Sequence, residues 1–123
     1  MVARILVVDD IEANVRVLEA KLTAEYYDVI SAMDGTTALA MAAAESPDII
    51  LLDIMMPGMD GFEVCRRLKD DPELKAIPVV AVTAFAMKGD EERIREGGCE
   101  AYLSKPISVG KFLETVRHFL GNP

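Results

Sequence analysis

The sequence lacks any long apolar run: none approaches the roughly 18 residues that a membrane-spanning helix requires. The first apolar stretch, Ile5 to Val8, is short and lacks the flanking pattern of a signal peptide. These two absences predict a cytoplasmic protein.

Residues that bind zinc or form disulfides are scarce, with 2 cysteines and 1 histidine in 123 residues. Neither Cys65 nor Cys99 has a second cysteine nearby in the sequence, and only His118 could assist them. Neither a zinc site nor a disulfide framework is therefore indicated, and we expect two reduced thiols on helices or at helix ends.

Positive charge is also in short supply. The chain has 13 lysine and arginine residues against 21 aspartate and glutamate residues, which leaves a formal net charge of −8. Such an excess repels a nucleic-acid backbone and an anionic membrane surface. We therefore expect neither nucleic acid nor a membrane among the partners.

The chain has no Pro/Gly/Ser-rich linker, internal repeat or low-complexity tract. Its hydrophobic fraction of 51% and charged fraction of 28% are typical of a folded protein, and its length corresponds to one domain. We therefore expect a single domain over residues 1–123.

Short apolar runs alternate with longer amphipathic stretches. The runs Ile5 to Val8, Ile49 to Leu52 and Val79 to Val82 are rich in Val, Ile and Leu, which is typical of strands buried on both faces. Two weaker strands are predicted at Asp28 to Ser31 and Ala101 to Leu103.

Helical spacing of apolar residues occupies the segments between these strands. Asp60 followed by Glu63 has capping-box spacing and predicts the start of one helix. The Met87 to Gly97 segment has few large apolar residues, which predicts an amphipathic, marginal helix. The helix that begins at Asp60 carries Val64, Cys65 and Leu68. The three remaining helices carry these apolar positions: Val15, Leu18 and Leu22; Ala38, Leu39, Ala42 and Ala43; Val109, Phe112, Leu113, Val116 and Leu120.

Five strands alternating with five helices predict a doubly wound α/β domain. Each parallel crossover needs a connection of about a dozen residues or more, and the predicted helices supply such connections. We therefore expect a five-stranded parallel sheet covered by helices on both faces.

Polar residues stand at the carboxyl ends of the predicted strands, where open parallel sheets bind their ligands. Asp9 and Asp10 follow the first strand, Asp53 follows the third, Thr83 ends the fourth and Lys105 follows the fifth. In the flavodoxin-like strand order 2-1-3-4-5, the first and third strands flank the point where strand order reverses. That order would bring three carboxylates together beside a hydroxyl and an ammonium group.

Three carboxylates in one shallow pocket repel one another, and a divalent cation would relieve the repulsion. Oxygen ligands favour magnesium, which accepts one or two carboxylates together with a phosphoryl oxygen. A carboxylate beside the metal can attack phosphorus and form an aspartyl phosphate. Lys105 and Thr83 would then contact the phosphoryl oxygens.

These residues resemble the receiver domains of bacterial two-component response regulators. The likeness covers essentially the whole chain and implies a flavodoxin-like (βα)5 fold. It is carried by Val7 to Asp10, Leu51 to Gly61, Val80 to Ala84 and Tyr102 to Pro106.

The resemblance implies a metal and phosphoryl site. Asp53 is the expected phosphoryl acceptor. The expected magnesium ligands are Asp9, Asp10, Asp53 and the backbone carbonyl of Met55.

The resemblance also implies phosphoryl-binding and switching residues. Thr83 and Lys105 are the expected phosphoryl-binding pair, and Tyr102 is the expected aromatic switch that turns inward when Thr83 is drawn to the phosphate. A cis peptide before Pro106 would aim Lys105, and the small Ala84 would leave the site open.

The function implied is a signalling switch rather than an enzyme. A sensor histidine kinase or a histidine phosphotransfer protein would donate the phosphoryl group with Mg²⁺ present, and the receiver would assist its own phosphorylation and dephosphorylation. A downstream protein would bind the Met87–Gly97 helix, the Tyr102 strand and the Val109–Leu120 helix. His118 is expected to lie at the surface, without a phosphotransfer role.

The two halves of the chain resemble different members of the family. Ile77 to Leu113 resembles stand-alone cell-division receivers of alpha-proteobacteria, and Ala3 to Asp71 resembles the first receiver of a diguanylate cyclase. A natural intermediate and a recombined chain would both fit. We expect a stand-alone response regulator in cell-cycle or division control, without an output domain; the alternative is a receiver fragment of a multidomain regulator such as a diguanylate cyclase.

Plainer explanations exist for single residues and for the site. Asp9 and Asp10 could cap a helix, and Tyr102 could be a static, half-buried aromatic residue.

An Asp-nucleophile phosphatase or dehalogenase would carry a second aspartate two residues after the first, where this chain has Met55. A flavodoxin-like cofactor binder would cradle phosphate in its first loop, where Asp9 and Asp10 would repel it.

Overall fold

The computed structural model of the chain describes residues 2–83, 95–104 and 109–120. Within these ranges the five predicted strands are confirmed, each shifted by at most one residue at an end. The strands are β1 (Arg4–Val8), β2 (Asp28–Ala32), β3 (Ile49–Asp53), β4 (Val79–Thr83) and β5 (Ala101–Ser104). The helices are α1 (Glu12–Ala24), α2 (Gly35–Glu45), α3 (Gly61–Asp70) and α4 (Val109–Leu120). Most of the predicted Met87 to Gly97 helix lies outside the described residues.

The strands form one parallel sheet in the order β2-β1-β3-β4-β5, which confirms the predicted topology. The central strands β3 and β4 are buried along their whole length, and β1 is buried except at Arg4. The edge strands β2 and β5 are only partly buried. This difference explains why the central strands read as continuous apolar runs and the edge strands as weaker ones.

Two cores cover the two faces of the sheet. Leu6 and Ile50 face the core that contains Leu68 of α3 and residues of α2. Ile5 and Leu51, their neighbours in sequence, face the core that contains Phe112 of α4 and residues of α1. Successive side chains of a strand point to opposite faces, so each central strand supplies both cores.

The helices begin and pack largely as their patterns predict. Asp60 caps α3 by accepting a hydrogen bond from the Glu63 backbone N–H at 3.0 Å. The Glu63 side chain forms ion pairs with Arg66 and Arg67, and the Arg66 hydrogen bond is the main reason that the pKa of Glu63 is lowered. In α2 the expectation for Ala43 is wrong, because this residue is exposed while Ala38 and Ala42 are buried.

Both cysteines are free and buried, as expected of reduced thiols. Cys65 lies on α3, but Cys99 lies in the connection that leads into β5 rather than at a helix end. Among the helices that the structure describes, none has both the length and the apolarity to cross a membrane.

Candidate functional site

Three aspartates meet where β1 and β3 end. Each of Asp9, Asp10 and Asp53 offers a carboxylate oxygen, and these oxygens lie within 4.8 Å of one another. Asp9 is 4% exposed and Asp53 is 3% exposed. The strand order places β1 beside β3, so the acidic cluster stands where strand order reverses.

Hydrogen bonds from the start of α1 orient Asp9. Its Oδ1 accepts from the Ile11 backbone N–H at 2.9 Å, and its Oδ2 accepts from the Asn14 side-chain amide at 3.3 Å. Asp9 therefore takes part in the turn that leads into α1, whereas the N-cap of that helix is Ile11. A carboxylate has about four lone-pair sites, and these two bonds occupy two of them.

Asp53 is oriented by the turn that follows β3. Its Oδ1 accepts from the Met55 backbone N–H at 3.0 Å. The Ile54 N–H donates to the Val82 carbonyl at 3.0 Å and thus extends the β3–β4 pairing past the end of β3. The Met55 side chain is 58% exposed, so this residue contributes to the turn through its backbone.

Thr83 and Tyr102 lie on the strands beyond β3. Asp53 pairs in register with Val82, so Thr83, which is 1% exposed, comes one position further along the neighbouring strand. Tyr102 is half-buried and packs against the core that contains α2 and α3. Lys105, Ala84 and Pro106 lie outside the described residues, as does the peptide bond before Pro106.

Gly61 lets the start of α3 approach the end of β3 closely. A Cβ atom at this position would lie 2.5 Å from the Ile54 Cα and 2.7 Å from the Asp53 carbonyl oxygen. The Gly61 N–H donates to the Ile54 carbonyl at 3.1 Å. The backbone contact between the start of α3 and the end of β3 therefore supports the segment that carries Asp53.

Two supporting residues were not identified from the sequence. Asn14 lies five positions after Asp9, a separation that has no recognised motif. Gly61 ends Leu51 to Gly61, one of the stretches that resemble receiver domains. Only its contact with the backbone of Asp53 and Ile54 explains why a side chain is excluded there. Asp60 followed by Glu63 was the available signal for where α3 begins.

The three carboxylates are suited to a magnesium ion. They provide hard oxygen ligands, and two of them are almost fully buried. Magnesium binds through a small number of carboxylates and keeps several of its waters. The donor set thus fits the cation expected from the sequence.

We predict that Asn14→Ala weakens magnesium binding, because Asp9 then loses the amide that orients its Oδ2. Loss of such a supporting hydrogen bond raises the Kd of a metal by about 10-fold or more. Isothermal titration calorimetry with MgCl₂ measures the change. Thr23→Ala, an exposed substitution on the same helix, should leave the Kd unchanged; equal Kd values for the two variants would contradict the role of Asn14.

Residues 5–117 match the model of the response regulator receiver domain. Response regulator PleD of Caulobacter vibrioides is 69% identical over 117 residues, which are 95% of this chain and 26% of that protein. The chain thus spans about a quarter of the length of this relative. Polar-differentiation response regulator DivK of Brucella ovis is 52% identical over 122 residues, 99% of each chain.

Solved structures agree with these matches. The chemotaxis protein CheY4 of Vibrio cholerae has a TM-score of 0.93 at 28% identity and covers 98% of this chain and 100% of its own. The receiver domain of a sensor histidine kinase of Pseudomonas aeruginosa has a TM-score of 0.91 at 30% identity, covers 99% of this chain and 100% of its own, and holds a magnesium ion in its active-site cleft. The resemblances to a diguanylate cyclase receiver and to a stand-alone cell-division receiver are confirmed by PleD and DivK. Each of these two relatives aligns with nearly the whole chain rather than with one half.

Proposed function

Because the chain belongs to the response regulator receiver domain family, we propose that it is a phosphorylation-operated switch whose phosphoryl acceptor is Asp53. Members of this family are signalling switches of two-component systems rather than enzymes acting on a substrate. The observation that carries the assignment of Asp53 is its position: a buried carboxylate at the end of β3, with an oxygen held by the Met55 N–H and two more aspartates adjacent.

Asp9, Asp10, Asp53 and the Met55 carbonyl would hold the magnesium ion. When bound, magnesium neutralises negative charge at the site and accepts a phosphoryl oxygen as a ligand. The magnesium-containing receiver from Pseudomonas aeruginosa supports this assignment. Asn14 would act through Asp9 as a positioning residue.

The proposed reaction is transfer of a phosphoryl group from a histidine of a kinase or a phosphotransfer protein. A carboxylate oxygen of Asp53 forms a bond to phosphorus while the bond from phosphorus to the histidine nitrogen breaks, and that nitrogen keeps the electron pair. Lys105 and the Thr83 hydroxyl would contact the phosphoryl oxygens and stabilise the charge that they carry. Water later attacks the phosphorus, the bond from phosphorus to the Asp53 oxygen breaks, and inorganic phosphate leaves as the carboxylate is regenerated. Because the same residues would contact the phosphoryl oxygens in both steps, the receiver would assist its own phosphorylation and dephosphorylation.

The phosphoryl group would bias a two-state element that includes Thr83 and Tyr102. Thr83 would move toward the phosphate, and Tyr102 would turn inward. The proposed readout surface consists of the Met87–Gly97 segment, β5 and α4. A groove of about 490 Å³ runs along β5 and α4 and includes Leu103 and Phe119 in its lining, which supports a protein partner at this face.

We place the protein in the cytoplasm as a stand-alone response regulator in cell-cycle or division control. The full-length alignment with DivK supports this assignment. The second candidate is a receiver within a multidomain regulator such as a diguanylate cyclase, and the 69% identity to PleD over 26% of that protein favours it. Sequencing the native reading frame beyond Pro123 decides between them.

Removal of magnesium tests the proposed function. Incubation with acetyl phosphate and MgCl₂ should add one phosphoryl group per chain, because one acceptor is assigned. Intact-mass spectrometry measures the uptake. Excess EDTA should reduce the uptake to background, and excess MgCl₂ should restore it.

Two results would contradict the proposal. One is uptake that EDTA leaves undiminished. The other is repeated turnover of a generic phosphate ester such as p-nitrophenyl phosphate, which would indicate a hydrolase instead.

A further inference from the structure

The two cysteines of the chain are in contact, although 34 positions separate them in sequence. The Sγ atoms of Cys65 and Cys99 lie 2.8 Å apart. A disulfide bond is about 2.0 Å long, so a movement of less than about 1 Å separates this contact from bonding distance. Cys65 is 0% exposed and Cys99 is 8% exposed, which shields the pair from the thiols of other protein molecules.

A second contact holds the same two segments together. Lys69 lies one helical turn after Cys65, and its ammonium group forms an ion pair with Glu100, the residue after Cys99. Lys69 also donates to the Ile77 carbonyl at 2.9 Å, and Glu100 accepts from the Val79 N–H at 2.6 Å. Because these bonds anchor α3 against the start of β5, the sulfur atoms are kept close in the folded protein.

We propose that Cys65 and Cys99 are a redox pair that forms a reversible intramolecular disulfide on exposure to a peroxide. The bond would join α3 covalently to the residue that leads into β5. It would close a loop that contains β4 and the Met87–Gly97 segment. This site is separate from the acidic cluster and does not depend on phosphorylation.

The hydrogen bonds of the pair indicate which sulfur reacts first. The Cys65 thiol donates to the Gly97 carbonyl at 3.3 Å, which leaves its sulfur to accept from the Cys99 S–H. That hydrogen bond lowers the pKa of Cys65, and the positive charge of Lys69 acts in the same direction against the effect of burial. The same bond, together with burial, raises the pKa of Cys99. Since the thiolate is the nucleophile, Cys65 is the sulfur to be oxidised first. Because Cys65 is 0% exposed, it reacts with peroxide when the structure opens locally.

The reaction consumes one peroxide molecule and two thiols. The Cys65 thiolate attacks one oxygen of hydrogen peroxide, the O–O bond breaks, and a sulfenic acid and hydroxide form. The Cys99 sulfur then attacks the Cys65 sulfur, the S–S bond forms, and the sulfenic oxygen leaves as water with the proton of Cys99. Two thiols and one peroxide thus give one disulfide and two waters, and a dithiol reductant reverses the change.

The experiment uses the full chain, reduced and then treated with hydrogen peroxide under native conditions. Intact-mass spectrometry should show the loss of two hydrogen atoms, and peptide mapping without reductant should show a Cys65–Cys99 linked pair. The disulfide should raise the Tm by on the order of 10 °C, because it restricts the unfolded chain. Dithiothreitol should return both mass and Tm to their starting values.

Single variants provide the matched controls. Cys99→Ser should leave Cys65 without a partner, so that oxidation yields sulfenic or higher oxidised forms of Cys65 and no intramolecular link. Cys65→Ser should lose the link as well, and its Cys99 should react more slowly. Two results would overturn the proposal: disulfide-linked dimers in place of the internal link, or a peroxide-treated native chain that retains both thiols. Both results are measured on the native chain, so they hold even if a variant does not fold.

Discussion

Asp53→Asn is expected to abolish phosphoryl uptake from acetyl phosphate and magnesium. The substitution exchanges one carboxylate oxygen for an NH₂ group of nearly the same size. The amide oxygen can still accept the Met55 N–H that now bonds Asp53 at 3.0 Å, so the turn after β3 is retained. An amide is not a nucleophile at phosphorus, and it also removes one negative charge from the proposed magnesium site. Phosphoryl uptake measured by intact mass should therefore fall to background while the fold persists.

Asp70→Asn is the matched control for this result. Asp70 is the last residue of α3 and is exposed, so the same chemical change there should leave uptake at the native level. Circular dichroism and Tm should show both variants folded. Retained labelling of the Asp53 variant, or a phosphoryl group mapped to Asp9 or Asp10 in the native protein, would refute the assignment of the acceptor.

Gly61→Ala is expected to destabilise the fold, although alanine is the better helix former. Replacing glycine by alanine within a helix contributes about 1 kcal/mol of stability through backbone propensity. Here the new Cβ would meet the Ile54 Cα at 2.5 Å and the Asp53 carbonyl oxygen at 2.7 Å. These are backbone atoms that cannot rotate away, and such overpacking costs about 3 kcal/mol. The net loss is about 2 kcal/mol, equivalent to a fall in Tm of roughly 5–10 °C.

Gly58→Ala separates the effect of the close contact from the effect of adding a methyl group. A Cβ atom at Gly58 would meet nothing within 4 Å, but the residue has φ +74°. The left-handed backbone makes alanine unfavourable by about 1 kcal/mol without any clash. Urea denaturation of both variants tests the comparison. A loss for Gly61→Ala no greater than that for Gly58→Ala would contradict the role of the contact.

Phosphoryl uptake by Gly61→Ala should also slow, because the Asp53 carbonyl must shift to admit the methyl group. Uptake by Gly58→Ala should change less, since its added methyl group meets no other atoms. Time courses with acetyl phosphate and MgCl₂ measure both rates. Equal rates for the two variants would show that the packing of α3 against β3 supports stability alone.

The sequence by itself determined the strand positions and the strand-end residues. In a parallel sheet, strands buried on both faces must be apolar throughout, so β1, β3 and β4 stand out as short runs bounded by polar residues. Because parallel strands end at one edge of the sheet, polar residues that follow them are brought together once the strand order is known. For this reason the sequence alone assigns Asp9, Asp10 and Asp53 to one site.

Only the tertiary structure decided how those residues are supported. The bond from Asn14 to Asp9, the approach of Gly61 to Ile54 and the contact of Cys65 with Cys99 each depend on the angle and depth at which a helix packs on its neighbours. Hydrophobic periodicity predicts which side of a helix is buried, but it leaves rotation uncertain by about one residue, or 100°. Distances between particular atoms depend on how both cores pack together, so they cannot be predicted from any single segment of the sequence.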